Sequence, residues 1–199
     1  NAMGTQNIAV GDNSSAVGFA NLTTGNKSSA VGYANKATGL ESNAAGRSND
    51  ASGNFSNALG YSNTSSGAES SAFGLTNTAS GTNSSVFGYR NSAVGTNSSV
   101  FGSRNMAIGQ SATAIGSATN TNASRNPVVT MTGAGNTVNS VDGIPVVTTA
   151  TSWADLKSNP SKLTSVKGVT LGTAEQKTSF VNSLSYGGNI AVAAASNAI

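Results

Sequence analysis

Arg90 and Arg104 stand fourteen residues apart. On neighbouring turns of a repeating fold they would stack like charges, an arrangement that an acidic ligand or a partner-chain carboxylate would relieve. They are the candidate ligand-binding residues. Glu41 and Glu69 share one phase of the same spacing, which would hold two carboxylates roughly 10 Å apart on alternate turns, a distance that invites comparison with a glycosidase. Phe55 occupies the phase between them and no third group accompanies the pair. Serine recurs as well, but a nucleophilic serine needs a base, and the chain has no histidine and no lysine recurring beside the serines. With cysteine also absent, disulfides, thiolate metal sites and imidazole chemistry are all removed. No catalytic residue, no metal site and no cofactor are expected.

The elements that position these residues follow from a strict period of fourteen. Glycine recurs at Gly4, Gly18, Gly32, Gly46, Gly60, Gly74, Gly88, Gly102 and Gly116, and a second series from Gly11 to Gly109 interleaves with it every seven residues. Asparagine holds Asn7, Asn21, Asn35, Asn49, Asn63, Asn77, Asn91 and Asn105, and serine holds one phase from Ser14 to Ser98. Helix-pair repeats need more than about 30 residues to turn and return. Fourteen suit one coil of an all-β solenoid, each half supplying a short strand and a bend, with glycine wherever the backbone turns or approaches a neighbour. Columns of the sequence then become ladders about 4.8 Å apart.

Reading the columns assigns faces. The apolar column Val17, Val31, Ala45, Leu59, Phe73, Phe87, Phe101 and Ile115 is expected to be core, and the alternate face, Ala16 to Ala114, is uniformly small. The Asn column is expected to hydrogen-bond along the stack, as amides do in cross-β arrays, and the Ser column to satisfy the turns. Arg47 falls between Tyr33 and Tyr61, within reach of cation–π stacking. Lys27 with Glu41 and Lys36 with Asp50 form cross-coil ion pairs that aid register. So thin a coil has little core to offset about 1 to 2 kcal/mol of backbone entropy per residue, and the chain is expected to associate with copies of itself.

Composition agrees with an array. Charged residues are 9%, aromatics 6%, and Gly contributes 24 of 199 residues. Such a polar chain would be disordered without its period. The net charge of +3 is scattered, with no polybasic run to grip a phosphate backbone, so nucleic acid is excluded as a partner. No apolar run reaches the roughly 20 residues that span a bilayer, so this segment is expected to make no membrane contact. The opening Asn1, Ala2 and Met3 read as an expression remnant ahead of a cut segment, which leaves the absence of a targeting signal without weight.

The stretches "SSAVG" (14–18 and 28–32), "SNALG" (56–60), "SSAFG" (70–74) and "SATAIG" (111–116) resemble the S-x-A-x-G repeat of trimeric autotransporter adhesins, and more specifically their YadA-like head. The resemblance covers about residues 4–119. Val86 and Val100 depart from the usual Ala, and Ser or Asn stands where that family often has an aliphatic residue. The resemblance implies a left-handed parallel β-roll in a homotrimer. It implies a non-enzymatic head on the bacterial cell surface, tethered to the outer membrane by a stalk and anchor outside this chain. Known relatives bind host extracellular-matrix proteins or cell-surface receptors, or promote autoaggregation, and such heads count as virulence factors and hemagglutinins. A trimeric phage tail-fibre segment shares the same repetitive logic and is the alternative.

Beyond the roll, residues 120–127 read as a linker and 128–199 as a connector module. "VVTMTGAGNTVNSVDGIPVVTT" alternates β-branched runs with turn residues and predicts short strands. Ser152 with Asp155, and Thr173 with Gln176, open two helices, the first limited by Pro160 and the second by Gly187 and Gly188. Trp153 is expected to anchor a core or a subunit interface.

Overall fold

The computed structural model describes residues 1–117, 129–131, 138–141, 144–186, 190–191 and 197–198. Residues 1–117 form a parallel β-solenoid of about eight turns, each coil 14 residues long. A coil holds a five-residue strand such as Ser29–Tyr33 and a two-residue strand such as Lys36–Ala37. Long strands stack into one sheet and short strands into another. Register is that of the sequence period, with Ser71 to Leu75 set opposite Ser85 to Tyr89.

The corners differ from expectation. Two residues per coil, seven apart, turn the chain through the left-handed region, and none is glycine: Thr76, Asn83, Arg90 and Asn97 have φ of 58°, 55°, 53° and 56°. Glycine is needed elsewhere, for close approach. A Cβ on Gly60 would lie 2.1 Å from the Gly74 carbonyl oxygen, and one on Gly67 would lie 2.1 Å from that of Gly81. Gly60 also sits at φ +118°, which L side chains rarely adopt. Both glycine series are therefore imposed by the backbone of the next coil.

The interior also corrects the sequence reading. Ala16, Ala30, Ala44, Ala58, Ala72, Val86, Val100 and Ala114 point inward and are essentially sealed from solvent, facing the inward residues of the short strands, Thr23, Ala37, Ala51, Ser65, Ala79, Ala93 and Ala107. The column expected to be core lies outside the coil. Val31, Phe87, Phe101 and Ile115 are 44%, 38%, 40% and 40% exposed, and Val17, Leu59 and Phe73 are half-buried on the same outer face. The reason is width. A 14-residue coil brings its two sheets so close that side chains of alanine or valine size fill the gap, and the larger residues at alternate positions must face out.

Residues 129–186 carry a second unit on the outer face of the short-strand sheet. Strands Val129–Met131, Val138–Val141, Ile144–Thr148, Leu163–Val166 and Val169–Thr170 form an antiparallel sheet. Two helices, α1 (Trp153–Ser158) and α2 (Ala174–Tyr186), pack with it. Both start as expected. Ser152 Oγ accepts the Asp155 N–H, while Thr173 and Gln176 exchange reciprocal capping bonds of 3.1 and 3.2 Å. Gly187 and Gly188, expected to stop α2, and the linker 120–127 lie outside the described residues. Trp153 is buried with Leu156, Leu163, Phe180 and Leu184 in a core that also takes in Val94, Met106 and Ile108 of the roll. At Val94 and Ile108 the outward residues of the short-strand side are apolar where the middle coils carry Thr38, Ser52, Ser66 and Ser80, and Met106 ends a column that reads Lys36, Asp50, Thr64, Thr78 and Ser92 on the coils before it.

The chain then returns to the roll. Ile190–Ala191 pairs in parallel with Met106–Ala107, and Asn197–Ala198 with Thr113–Ala114. Both offsets are 84 residues, six periods of 14. Residues 190–191 and 197–198 thus belong with the solenoid sheets, while the expected module ran to 199. The sequence carries a signal for this: "SNAI" at 196–199 repeats "SNAL" at 56–59.

Candidate functional site

Each polar column has a definite place in the roll. Asn63 is sealed from solvent. Its Nδ2 donates to the Leu59 and Gly74 carbonyls at 2.8 and 2.7 Å and to Asn49 Oδ1 at 3.0 Å, while its Oδ1 accepts the Asn77 backbone N–H at 3.0 Å. Asn21, Asn35, Asn77 and Asn91 repeat the bonds to the two carbonyls. The ladder holds the wall of the coil together and presents no amide to a ligand. Ser28, Ser42 and Ser70 donate to the carbonyl of the glycine three residues back, closing the bend.

The outer face of the long-strand sheet carries the apolar and aromatic ladders. Phe73, Phe87 and Phe101 stack with ring centroids 4.9 and 5.2 Å apart and nearly parallel planes, and Phe19 stacks on Tyr33 at 5.3 Å. Arg47 lies between Tyr33 and Tyr61, its guanidinium 5.3 and 5.5 Å from the two ring centroids. The expected sandwich is present. Lys27 meets Glu41 at 3.0 Å and Lys36 meets Asp50 at 3.3 Å, both at the surface.

Arg90 and Arg104 are brought together through an aromatic ring. Their guanidinium carbons lie 5.1 and 5.0 Å from the centroid of Tyr89. The face of the ring offsets part of the repulsion between the two cations and fixes where both point. A concave feature lies beside them, which the uniform ladders did not foretell. Between the roll and α2 a groove of about 330 Å³ is lined by Thr76, Thr78 and Arg90 from two successive coils and by Glu175, Thr178, Ser179 and Asn182 from the helix. Gln176 pins the helix at this level, its Nε2 donating to Ser80 Oγ at 3.0 Å. Among the described residues no cluster of acidic side chains has the arrangement to hold a metal ion.

The model of the YadA head domain repeat (2 copies) matches residues 2–21, 51–76 and 79–105. No curated protein matches the chain. The matched segments span the coils whose glycine, asparagine and inward alanine columns build the solenoid, and among the described residues no helix is long and apolar enough to cross a membrane. With the family match lying within residues 2–105, through which the period and ladders run unbroken, the roll of this chain is a YadA-like head domain.

Proposed function

We propose that this chain is the head of a trimeric autotransporter adhesin, acting by attachment and not by chemistry. It would stand at the bacterial surface, on an outer-membrane anchor outside this sequence. The observation that carries the proposal is the exposed apolar ladder of the long-strand sheet. Val31, Phe87, Phe101 and Ile115 are about two-fifths exposed in a single chain, in register over successive coils, and a continuous stripe of this kind is the mark of an interface. In a homotrimer this stripe would pack against its copies, each buried Phe or Ile contributing on the order of 1 kcal/mol. The missing width of the coil's own core is then supplied by its neighbours.

The remaining surface would meet host extracellular-matrix proteins, cell-surface receptors or other bacteria. Ladders of Ser, Thr, Asn and paired charges offer many weak, repeated contacts, which three chains and many copies per cell multiply into avidity. The test is attachment. Cells displaying the head on a trimeric anchor should adhere to at least one of immobilised collagen, fibronectin, laminin or epithelial cells, or clump with one another, more than cells displaying the anchor alone. Equal behaviour of the two strains on every surface would overturn the adhesive reading.

A further inference from the structure

We infer that the groove between the roll and α2 is a binding site for a saccharide carrying a carboxylate. Its construction is unlike the rest of the interface between the two units. Where Val94, Met106 and Ile108 stand on the roll, the module meets them in dry apolar contact. At Thr76, Thr78 and Arg90 the roll stays polar, α2 stands off, and about 330 Å³ is left between them. That volume lies at the lower end of small-ligand pockets, roughly 300 to 1,000 Å³.

The lining selects the ligand. Glu175, Thr178, Ser179 and Asn182 fall at i, i+3, i+4 and i+7 of the helix, so one stripe of α2 presents a carboxylate, two hydroxyls and an amide to the groove. The stripe that carries Phe180, Val181 and Leu184 is the one spent on the core. From the facing wall come two threonine hydroxyls and the Arg90 guanidinium. Arg90 is held against Tyr89, its guanidinium carbon 5.1 Å from the ring centroid, and among the described residues no ion pair joins it to Glu175 across the groove. A guanidinium so placed suits a carboxylate, which it can receive in bidentate fashion. Hydroxyls, an amide and a carboxylate acceptor on the opposite wall suit the ring hydroxyls of a sugar. A neutral sugar would leave the guanidinium unused, and the clustered phosphate charges of a nucleotide would set several negative groups close against Glu175.

A terminal sialic acid and a uronic acid within a glycosaminoglycan share this chemistry. The inference extends the adhesive reading, on which its biological purpose rests. Its test uses soluble saccharides and no cells, so failure of the site and failure of adhesion are separately visible. The full chain would be titrated calorimetrically with sialyllactose, with a hyaluronan tetrasaccharide and with lactose. Saturable binding of at least one acidic saccharide is expected, with lactose about tenfold weaker or undetected, since charge-assisted bonds are roughly twice as strong as neutral ones. Which acidic saccharide binds identifies the source. Arg90→Ala should lose about tenfold or more, Asn182→Ala on the other wall about threefold, and Arg47→Ala, on the long-strand face, nothing. Raising salt should weaken the acidic ligand alone. Equal affinity for lactose and the acidic saccharides, no binding up to roughly 10 mM of either, where sugar sites of even weak affinity saturate, or full binding by a folded Arg90→Ala or Asn182→Ala protein would overturn the assignment.

Discussion

At the scale of single residues, the buried amide ladder and one ion pair hold the molecule to its shape. Asn63→Ala would strip two carbonyls and one backbone N–H of their partners inside a sealed wall. Each unsatisfied buried group costs about 1 to 3 kcal/mol, so a loss of about 2 to 4 kcal/mol per chain is expected by denaturant unfolding. Asn43→Ala, on an exposed face of the same coil array, should change stability by less than about 0.5 kcal/mol. In the second unit Lys162 Nζ binds both carboxylate oxygens of Asp155, at 2.6 and 2.8 Å. That bond first, and then the Thr151 backbone N–H, hold the carboxyl at about 2. A carboxyl lowered in the folded state contributes stability above its unfolded value, near 3.9, and loses it as pH falls toward the folded one. Unfolding of the module, followed by Trp153 fluorescence, should therefore become easier between about pH 4 and 2. Asp155→Asn should flatten that part of the profile; an unchanged profile would remove the ion pair from any role in acid stability.

Elements repeat in units of one coil, and stability should follow that unit. Deleting residues 60–73 joins Leu59 to Gly74 and leaves every column in phase, because contacts run almost wholly between neighbouring coils. The shortened protein should keep its assembly and lose no more than about 4 to 8 °C in Tm, the effect of about 1 kcal/mol in a small domain. Deleting residues 60–66 alone would set long strands against short ones and asparagines against residues that cannot continue the ladder. Circular dichroism and light scattering of the two deletions decide this. If both are tolerated alike, seven residues and not fourteen are the unit of the fold. The second unit rests on the array through Val94, Met106 and Ile108 and through the Gln176 bond to Ser80, and the apolar contact accounts for Val94 and Ile108 where Thr38, Ser52, Ser66 and Ser80 stand on earlier coils.

For the whole molecule, the outward placement of the apolar ladder is the feature on which the proposed assembly rests. Phe87→Asp with Phe101→Asp places two carboxylates per chain on the stacked stripe and should abolish the proposed trimer. Ser52→Asp with Ser66→Asp, exposed on the short-strand side, should leave it intact. Light scattering coupled to size exclusion reads the difference. A wild-type chain that stays monomeric at micromolar concentration would sink the proposed interface. Coils 84 residues apart in sequence pair directly, so the unit at 129–186 is inserted between layers of one stack. Its effect is to hold α2 over Thr76, Thr78 and Arg90, a concavity that a bare stack of ladders cannot form.

The sequence by itself determined the coil length, the parallel register, the internal role of the asparagines, the Arg47 sandwich between Tyr33 and Tyr61, and the caps of both helices. Each of these depends on local chemistry or on residues set one period apart, which a stack must bring together whatever else it does. Only the tertiary structure decided which face of the long strand is inside. Alternation separates Ala16 from Val17 but does not say which of them fills the coil; the width between two closely set sheets does, and it admits alanine. That the residues with φ near +55° at the corners are not glycine is likewise settled by the path of the neighbouring coil, whose carbonyls claim the glycines for close approach. The return at Ile190 keeps the period and is marked in the sequence by the repeat of 56–59 at 196–199, but the groove that α2 forms with Arg90 joins residues far apart in sequence, and no period carries that information.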